Sequence, residues 1–464
     1  MQRIRSGRWI GDRRFYQRLL RIALPIMLQS GITNLVSLLD NIMVGAVGTE
    51  SMTGVSIVNQ LLFVFQLCVF GGLSGAGIFT AQYYGRGDEK GVRDTFRFKL
   101  WLTGLLFVTG ACILTNFGKT LIGSFLHESG DSVNMAVTES YGQEYLKVMI
   151  PGLLPFALCQ AYASTLRECG ETMLPMKAGI LAILVNLILN YLLIFGKLGF
   201  PALGPAGAGI ATVISRFVEC GIVVAWTHTH LMKNGWARGA YRSVKVPGAL
   251  TRRILVKGMP LLVNEMLWST GMTSLVQCYS NYGLAVVAGL NISSTVYNLF
   301  SVIWMAMGTA VSILVGQQLG AGNYEEARDS VRKIMVFSIL SATAVGVLTA
   351  LLAPLFPLLY NTSQDVRDLA TGFIRIAMLA TPINSFANVT YFTLRSGGRT
   401  WITFLFDSVY IWVFRLPMVL VLIHVVKLPI YPVYALSALS ELVKCVLGAW
   451  MIRKGIWIRN IVEE

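Results

Sequence analysis

The chain has 464 residues, of which 55% are hydrophobic and only 13% are charged, and its mean hydropathy is +0.62. Soluble proteins carry about 25% charged residues, so this composition excludes an ordinary water-soluble domain and indicates a membrane protein. The net charge of +15 would also suit a nucleic-acid-binding protein. The positions of the basic residues, given below, argue for a topological origin of the charge and against nucleic-acid binding.

Twelve apolar segments are each long enough to cross a bilayer, which takes about 20 residues. They are continuous rather than alternating, so the sequence predicts an all-α polytopic membrane protein, not a β-barrel. We expect twelve transmembrane helices in two pseudo-symmetric six-helix bundles. The bundles would span residues 1–231 and 254–464, joined by a cytoplasmic linker at 232–253. The segments are approximately 21–46, 52–82, 98–122, 141–165, 174–196, 206–231, 254–281, 284–317, 332–358, 370–393, 402–425 and 430–452.

Part of the sequence occurs twice, which is typical of transporters built from two pseudo-symmetric halves. Besides the main repeat, which has an offset of 235, a second sequence similarity relates Leu166–Thr172 to Leu394–Thr400 at an offset of 228. The glycines of the main repeat follow the second helix of each half, and we interpret them as structural turns, because the motif lacks the ending of a phosphate loop. The pairs at an offset of 235 are Pro25 and Pro260, Gln82 and Gln317, Gly85 and Gly320, Gly87 and Gly322, and Arg93 and Arg328.

Basic residues are concentrated before the first helix and in every second connection, while the opposite connections hold few. This positive-inside asymmetry predicts that both termini are cytoplasmic. The first apolar run is too long for a signal peptide and is predicted to be an uncleaved helix. The seven cysteines form no C-x-x-C pair, so we expect neither a disulfide framework nor a zinc site, and no cofactor.

The first half contains one strong candidate for an ion-binding acid. Ser30, Thr33, Ser37 and Asp40 are spaced by three, four and three residues, which places them on one helical face. A carboxylate inside a membrane helix requires a reason. Asp40 could bind a cation or carry a proton, and the alternative is a structural hydrogen bond between helices. Asn186 and Asn190 share a face of the fifth helix and are equally open to either interpretation.

The second half has a different set of polar groups. Glu265 lies beside Asn264 in the seventh helix, and Asn384 and Asn388 share a face of the tenth. The eleventh helix carries Asp407 and Arg415.

Arg415 must be paired inside the membrane, and Glu265 and Asp407 are the partners proposed from the sequence. We hypothesise that Arg415 is a built-in cation of the second half. Arg216, Glu219, Glu441 and Lys444 lie toward helix ends, where snorkelling would explain them.

Three motifs resemble those of the multidrug and toxic compound extrusion (MATE) family. They are the run from Leu24 to Gly45, the repeated Gln82–Gly87 turn, and Asn186 to Asn190 followed by Gly207–Thr212. The resemblance covers nearly the whole chain. It implies two six-helix lobes forming a V and antiport of organic, often cationic, compounds against Na⁺ or H⁺.

The resemblance also implies roles for individual residues. Asp40 matches the acid of the family's first-lobe cation site, and Asn186, Ala208 and Thr212 match its other contributors, Ala208 through its backbone oxygen. Asn190 stands where many relatives have a second acid.

In the second lobe, one family branch uses a seventh-helix Glu and a tenth-helix Asp. Here Glu265 comes about one turn earlier than that Glu, and Asn384 and Asn388 replace the tenth-helix acid. These departures place the chain nearer the DinF-like branch than the NorM-like branch.

The leading functional prediction is therefore a cation-coupled antiporter in the inner membrane of a bacterium, coupled to H⁺ or Na⁺. Small organic molecules are the expected substrates, membrane lipid is its surroundings, and we expect it to act as a monomer. The alternative is a lipid-linked oligosaccharide flippase of the same superfamily, which would need more cations than Arg415 to bind pyrophosphate. A membrane enzyme is not favoured, because no cluster of acids, His or Ser suggests catalysis.

Overall fold

The computed structural model describes residues 9–45, 48–126 and 135–463, all of whose regular structure is helical, although a few side chains near residue 40 lie outside the description. The helical class predicted from the sequence is confirmed. The α-helices are α1 Arg13–Gly45, α2 Thr49–Arg86, α3 Glu89–Leu126, α4 Met135–Met149, α5 Leu153–Glu168, α6 Met173–Phe195, α7 Gly204–Thr229, α8 Gly248–Ser280, α9 Leu284–Gly320, α10 Tyr324–Leu351, α11 Gln364–Leu379, α12 Thr381–Ser396, α13 Thr400–Phe404, α14 Leu416–His424, α15 Ile430–Leu439 and α16 Leu442–Lys454.

Within the described ranges, ten helical segments are long and apolar enough to cross a membrane, and eleven if α11 and α12, which meet at a 48° bend, count as one span. The prediction was twelve. The remaining predicted span corresponds to α8, which is long enough at 33 residues. It falls short in hydrophobicity, since Asn264, Glu265 and a series of Ser and Thr residues dilute its apolar character.

Two of the predicted segments begin later than the helices that contain them. They were predicted to begin at residues 21 and 254, but α1 begins at Arg13 and α8 at Gly248, so Pro25 and Pro260 each lie 12 residues inside a helix. The turns before Pro25 are rich in Arg and so do not look apolar. They are nevertheless amphipathic, because Leu19 and Ala23, four residues apart, are fully buried.

The repeat is visible in the helix boundaries. Helices α1 and α8 have the same length of 33 residues and the same internal proline. Helices α2 and α9 begin at Thr49 and Leu284, and α3 and α10 at Glu89 and Tyr324, all at the offset of 235. The shorter offset of 228 relates α5 to α12, which are both 16 residues long.

The repeated glycines form helix-ending turns, as predicted. Gly87 and Gly322 have φ values of +79° and +73°, a left-handed conformation that glycine adopts without a Cβ penalty. In each copy the glycine N–H and the next N–H bond back to the last turn of the helix, which is the Schellman pattern. Gly170 and Gly398 repeat this arrangement after α5 and α12.

The chain divides into two compact units. We call residues 28–80 and 89–254 the N-terminal unit, and residues 1–27, 81–88 and 255–464 the C-terminal unit. Each has its own apolar core. The predicted lobe boundaries at 231 and 254 stay a prediction.

In the N-terminal unit, the predicted linker lies along α3. The guanidinium groups of Arg93 and Arg97 donate to backbone carbonyls between Gly235 and Ala240, and the Trp101 indole donates to the carbonyl of Val244. The three donors are spaced by four residues, so one face of α3 holds the linker backbone.

In the C-terminal unit, Gln82 connects the end of α2 to the end of the chain. Its side chain donates to the carbonyl of Ser396 at 2.9 Å and accepts from the backbone N–H of Ile461 at 2.8 Å. Gly85 and Gly320 pack against backbone carbonyls of the other copy, those of Gln317 and Gln82, where a Cβ would collide. The repeated Gln-x-x-Gly motif is thus a close crossing of two helices.

Candidate functional site

A row of neutral polar groups joins α6 to α7 in the N-terminal unit. Asn190 Nδ2 donates to Asn186 Oδ1 at 3.2 Å, and Asn186 Nδ2 donates to Thr212 Oγ1, also at 3.2 Å. Thr212 Oγ1 in turn donates to the carbonyl of Ala208 at 2.9 Å. The structure therefore brings together four of the five residues predicted for the first-lobe site.

Both asparagines in this row are buried, with 7% of Asn186 and 1% of Asn190 exposed. Four residues along a helix return to the same face, which places both amides toward α7. The small residues Gly207, Ala208 and Gly209 near the start of α7 leave room for this close approach, because Gly207 lies against the backbone of Leu193. The row supplies oxygen atoms but no charge of its own.

Asp40, the fifth predicted residue, belongs to α1, but its side chain lies outside the described residues. On the same helix, Thr33 donates to the carbonyl of Gln29 four residues earlier, at 2.8 Å. The polar stripe predicted from Ser30 to Asp40 is therefore partly satisfied within the helix.

Sequence reasoning missed a second polar group in this unit. Gln29 Oε1 accepts from Arg167 at 3.2 Å. The Gln29 and Glu219 side chains both approach Gly179, and Glu219 interacts electrostatically with Arg167 and Arg216. Glu219 is thus engaged inside the unit rather than snorkelling. The signal was available, since an acid in an apolar helix requires a partner.

The predicted polar residues of the second lobe form two groups in the C-terminal unit, which share Asp407. In the first, Asn264 Nδ2 donates to Asp407 Oδ2 and to the Tyr391 hydroxyl, each at 3.3 Å. Ser408 Oγ donates to Asn264 Oδ1 at 2.7 Å. Asn264 is 1% exposed, so this group lies in the interior of the unit.

The partners expected for Arg415 were wrong. Arg415 forms an ion pair with Glu441 at 3.0 Å and donates through Nε to Ser437. Asp407 pairs with Lys444 at 3.0 Å, and the Lys444 ammonium also contacts Glu441 at 3.1 Å. The two carboxylates and two cations form one connected set, which we call the four-charge cluster.

The snorkelling interpretation of Glu441 and Lys444 was also wrong. Each residue is 7% exposed, so neither side chain reaches an aqueous surface. Glu441 lies 26 residues from Arg415 along the chain, nearer than the expected partner Glu265, but the two side chains belong to different helices and meet only through tertiary packing. Glu441 and Lys444 are three residues apart and so share a helix face, which is a readable signal.

The backbone is irregular where the four-charge cluster forms. Asp407 and Arg415 lie in two successive π-helical segments, Leu405–Val409 and Ile411–Arg415. Glu441 lies at the break between α15 and α16, where it occupies the N-cap of α16. π-helical segments are rare and often mark functional sites.

The other predicted residues of this lobe are not part of the cluster. Asn384 donates to the Tyr297 hydroxyl and Asn388 to the Met305 sulfur, each at 3.3 Å. Glu265 is attracted by the charge of Arg395 and repelled by that of Asp407, and it makes no hydrogen bond or ion pair with the described part of the chain.

Comparison with known proteins assigns the architecture. The family model described as MatE matches residues 25–192 and 260–421, well over half of the chain. The two matches begin 235 residues apart, at the two repeated prolines.

Two curated relatives are similar over most of their length. The probable multidrug resistance protein NorM of Thermotoga maritima is 27% identical over 96% of this chain and 94% of its own. The multidrug resistance protein MdtK of Edwardsiella ictaluri is 26% identical over 86% of each chain. A crystal structure of the Vibrio cholerae MATE transporter VcmN superposes with a TM-score of 0.86 at 17% identity, covering 97% of this chain and 99% of that one.

Proposed function

Since this chain belongs to the MATE family of membrane transporters, we propose that it is a secondary antiporter that exports small organic compounds in exchange for H⁺ or Na⁺. Its relatives bear the names of multidrug resistance proteins, and such proteins are transporters, not enzymes. The duplicated helical unit supports alternating access, in which two pseudo-symmetric halves exchange conformations around a binding region.

The observation that carries the proposal is the row of amides and hydroxyls in the N-terminal unit. Asn186, Asn190 and Thr212 present oxygen atoms to one another within a buried region. With the carboxylate of Asp40 added, such a set would hold Na⁺ through oxygen ligands, or stabilise a proton on the carboxyl group. Substrate and cation would then each favour a different conformation of this unit, so that binding of one weakens binding of the other.

A lipid-linked oligosaccharide flippase is not favoured. Pyrophosphate recognition requires several unpaired cations, and Arg415 and Lys444 are both neutralised by acids in the C-terminal unit. The choice of family branch depends on α12, which carries Asn384 and Asn388 and no acid. This supports placing the chain nearer the DinF-like than the NorM-like branch.

The remaining parts of the proposal concern location and assembly. The chain is a multi-pass membrane protein, and the distribution of basic residues supports an inner-membrane location with both termini in the cytoplasm. We propose that it acts as a monomer on small organic substrates and needs no cofactor other than the coupling cation.

The test is efflux of a cationic dye from proteoliposomes under an imposed pH gradient and, separately, an imposed Na⁺ gradient. We expect one gradient to drive efflux in the wild type and Asp40→Asn to abolish it. Asp365→Asn, which neutralises an exposed acid in the first turn of α11, is the matched control and should leave efflux unchanged.

Efflux that survives Asp40→Asn would move the coupling site elsewhere, with Glu265 as the next candidate. No efflux under either gradient, from folded protein, would contradict antiport and favour the flippase alternative.

A further inference from the structure

The four-charge cluster lies outside the row of residues proposed to bind the coupling ion. Its centre is the Lys444 ammonium. This group lies 3.0 Å from Asp407 Oδ1 and 3.1 Å from Glu441 Oε2. The Lys444 side chain is 9% exposed, and the aromatic rings of Phe406 and Tyr410 lie 5.4 Å and 5.3 Å from the nitrogen. The two carboxylates and the two aromatic faces all stabilise a positive charge at this position.

The charges of the cluster balance. Asp407 and Glu441 contribute two negative charges, and Lys444 and Arg415 two positive ones. Arg415 lies at the outer edge, held by one oxygen of Glu441 and by Ser437. Removing Lys444 would therefore leave one uncompensated negative charge inside the unit, next to the Asn264 amide that already contacts Asp407.

The repeat shows that this arrangement is particular to one half. Residues 215–220 read Ser-Arg-Phe-Val-Glu-Cys, and residues 440–445 read Ser-Glu-Leu-Val-Lys-Cys, at an offset of 225 (440 − 215). The two charged positions carry opposite signs in the two copies. Arg216 is replaced by Glu441, and Glu219 by Lys444. In the C-terminal unit the reversal places an ammonium where the N-terminal unit has a carboxylate.

We propose that Lys444 is a tethered cation that fills an acidic ion site formed by Asp407 and Glu441, so that the C-terminal unit takes up no coupling cation from solution. The inference rests on the proposed antiport function in one respect only, which is that the cation replaced by Lys444 is taken to be the coupling ion. A transporter with one tethered cation would use a single external cation per cycle, bound in the N-terminal unit.

The test measures cation occupancy, not transport, so it is independent of the efflux experiment. All variants carry Asp40→Asn to silence the N-terminal site. Purified protein is titrated with radioactive sodium at alkaline pH, and a buried protonated carboxyl is sought by infrared difference spectroscopy between alkaline and acidic pH. The first arm detects Na⁺ and the second detects a proton.

With Lys444 in place we expect no sodium binding. Lys444→Met should gain occupancy by a monovalent cation, about one per protein, seen as bound sodium or as a new protonated carboxyl, because an unpaired buried charge recruits a counter-ion or is neutralised. The matched control is Asp407→Asn together with Lys444→Met. It removes one charge of each sign, keeps the Arg415–Glu441 pair, and should abolish the gain.

Sodium binding by the Asp40→Asn protein that is lost in Asp407→Asn would overturn the proposal, because the site would already be open to solution ions. A folded Lys444→Met protein that gains neither sodium nor a protonated carboxyl would overturn it too. If Lys444→Met does not fold, Lys444→Gln of similar length replaces it, and the sodium titration of the Asp40→Asn protein still tests the claim.

Discussion

The candidate ion-binding row of the N-terminal unit consists of neutral amides and hydroxyls, whereas the four-charge cluster of the C-terminal unit consists of two carboxylates and two cations. Both occur in helices related by the same repeat. The difference shows that a duplicated fold can keep its helix boundaries and turns while its two halves acquire different electrostatics. With the Asp40 carboxylate added as proposed above, a neutral row would accept an ion, whereas a neutralised cluster cannot until a cation is removed.

The largest predicted difference between the units concerns the charge-reversed pair Glu441 and Arg216. Glu441→Gln removes the acid that contacts both Arg415 and Lys444, and breaking such a buried set should cost about 3 to 5 kcal/mol of stability. Arg216→Gln loses one hydrogen bond of 3.4 Å, a contact with the Phe156 ring and an attraction to Glu219, but Glu219 keeps Arg167, so we expect a smaller cost of about 1 to 2 kcal/mol. Thermal unfolding in detergent measures both, and equal losses would contradict the comparison.

The shared parts of the repeat should respond equally. Gly85→Ala and Gly320→Ala would each push a Cβ into the backbone of the opposite copy, at Gln317 and Gln82. We expect each to cost about 1 to 3 kcal/mol, as overpacking does. The same unfolding assay checks this, and a harmless substitution in either copy would show that the two helices can separate there.

A smaller difference is expected between the asparagines of the two units. Asn186→Ala removes the centre of the hydrogen-bonded row and with it the bonds to Asn190 and Thr212, costing about 1 to 2 kcal/mol. It should also raise the cation concentration needed for half-maximal efflux. Asn384→Ala loses only a bond of 3.3 Å to Tyr297, and its cation dependence should match the wild type. A changed cation dependence in Asn384→Ala alone would reverse the assignment of the units.

The smallest effect is expected at the helix-ending glycines. Gly87→Ala and Gly322→Ala meet no neighbouring atom, so the only cost is the left-handed backbone, about 1 kcal/mol in each copy. Unequal shifts in melting temperature between the two variants would indicate that the turns are less alike than their hydrogen bonds suggest.

Much of this molecule could be predicted from its sequence, because the evidence was local. The helices follow from long apolar runs, the turns from repeated glycines, and the contact between Asn186 and Asn190 from a spacing of four. The first residues of α1, from Arg13 to residue 20, were missed, because their arginines hide an amphipathic face.

The four-charge cluster was also missed, since its partners belong to different helices and meet only through tertiary packing. Arg415 was correctly expected to be paired, but the sequence alone favoured the acids Glu265 and Asp407 over Glu441.

The most direct test of the central claim, that one unit takes an external cation and the other carries its own, is the response of dye accumulation to membrane potential. Proteoliposomes under a fixed gradient of the coupling cation are clamped at different potentials, and the steady-state distribution of a singly charged cationic dye is measured. One-for-one exchange moves no net charge, so the account predicts a distribution independent of potential. Exchange of two cations for each dye molecule would move one net charge per cycle. A dye distribution that shifts with potential by that amount would contradict the account.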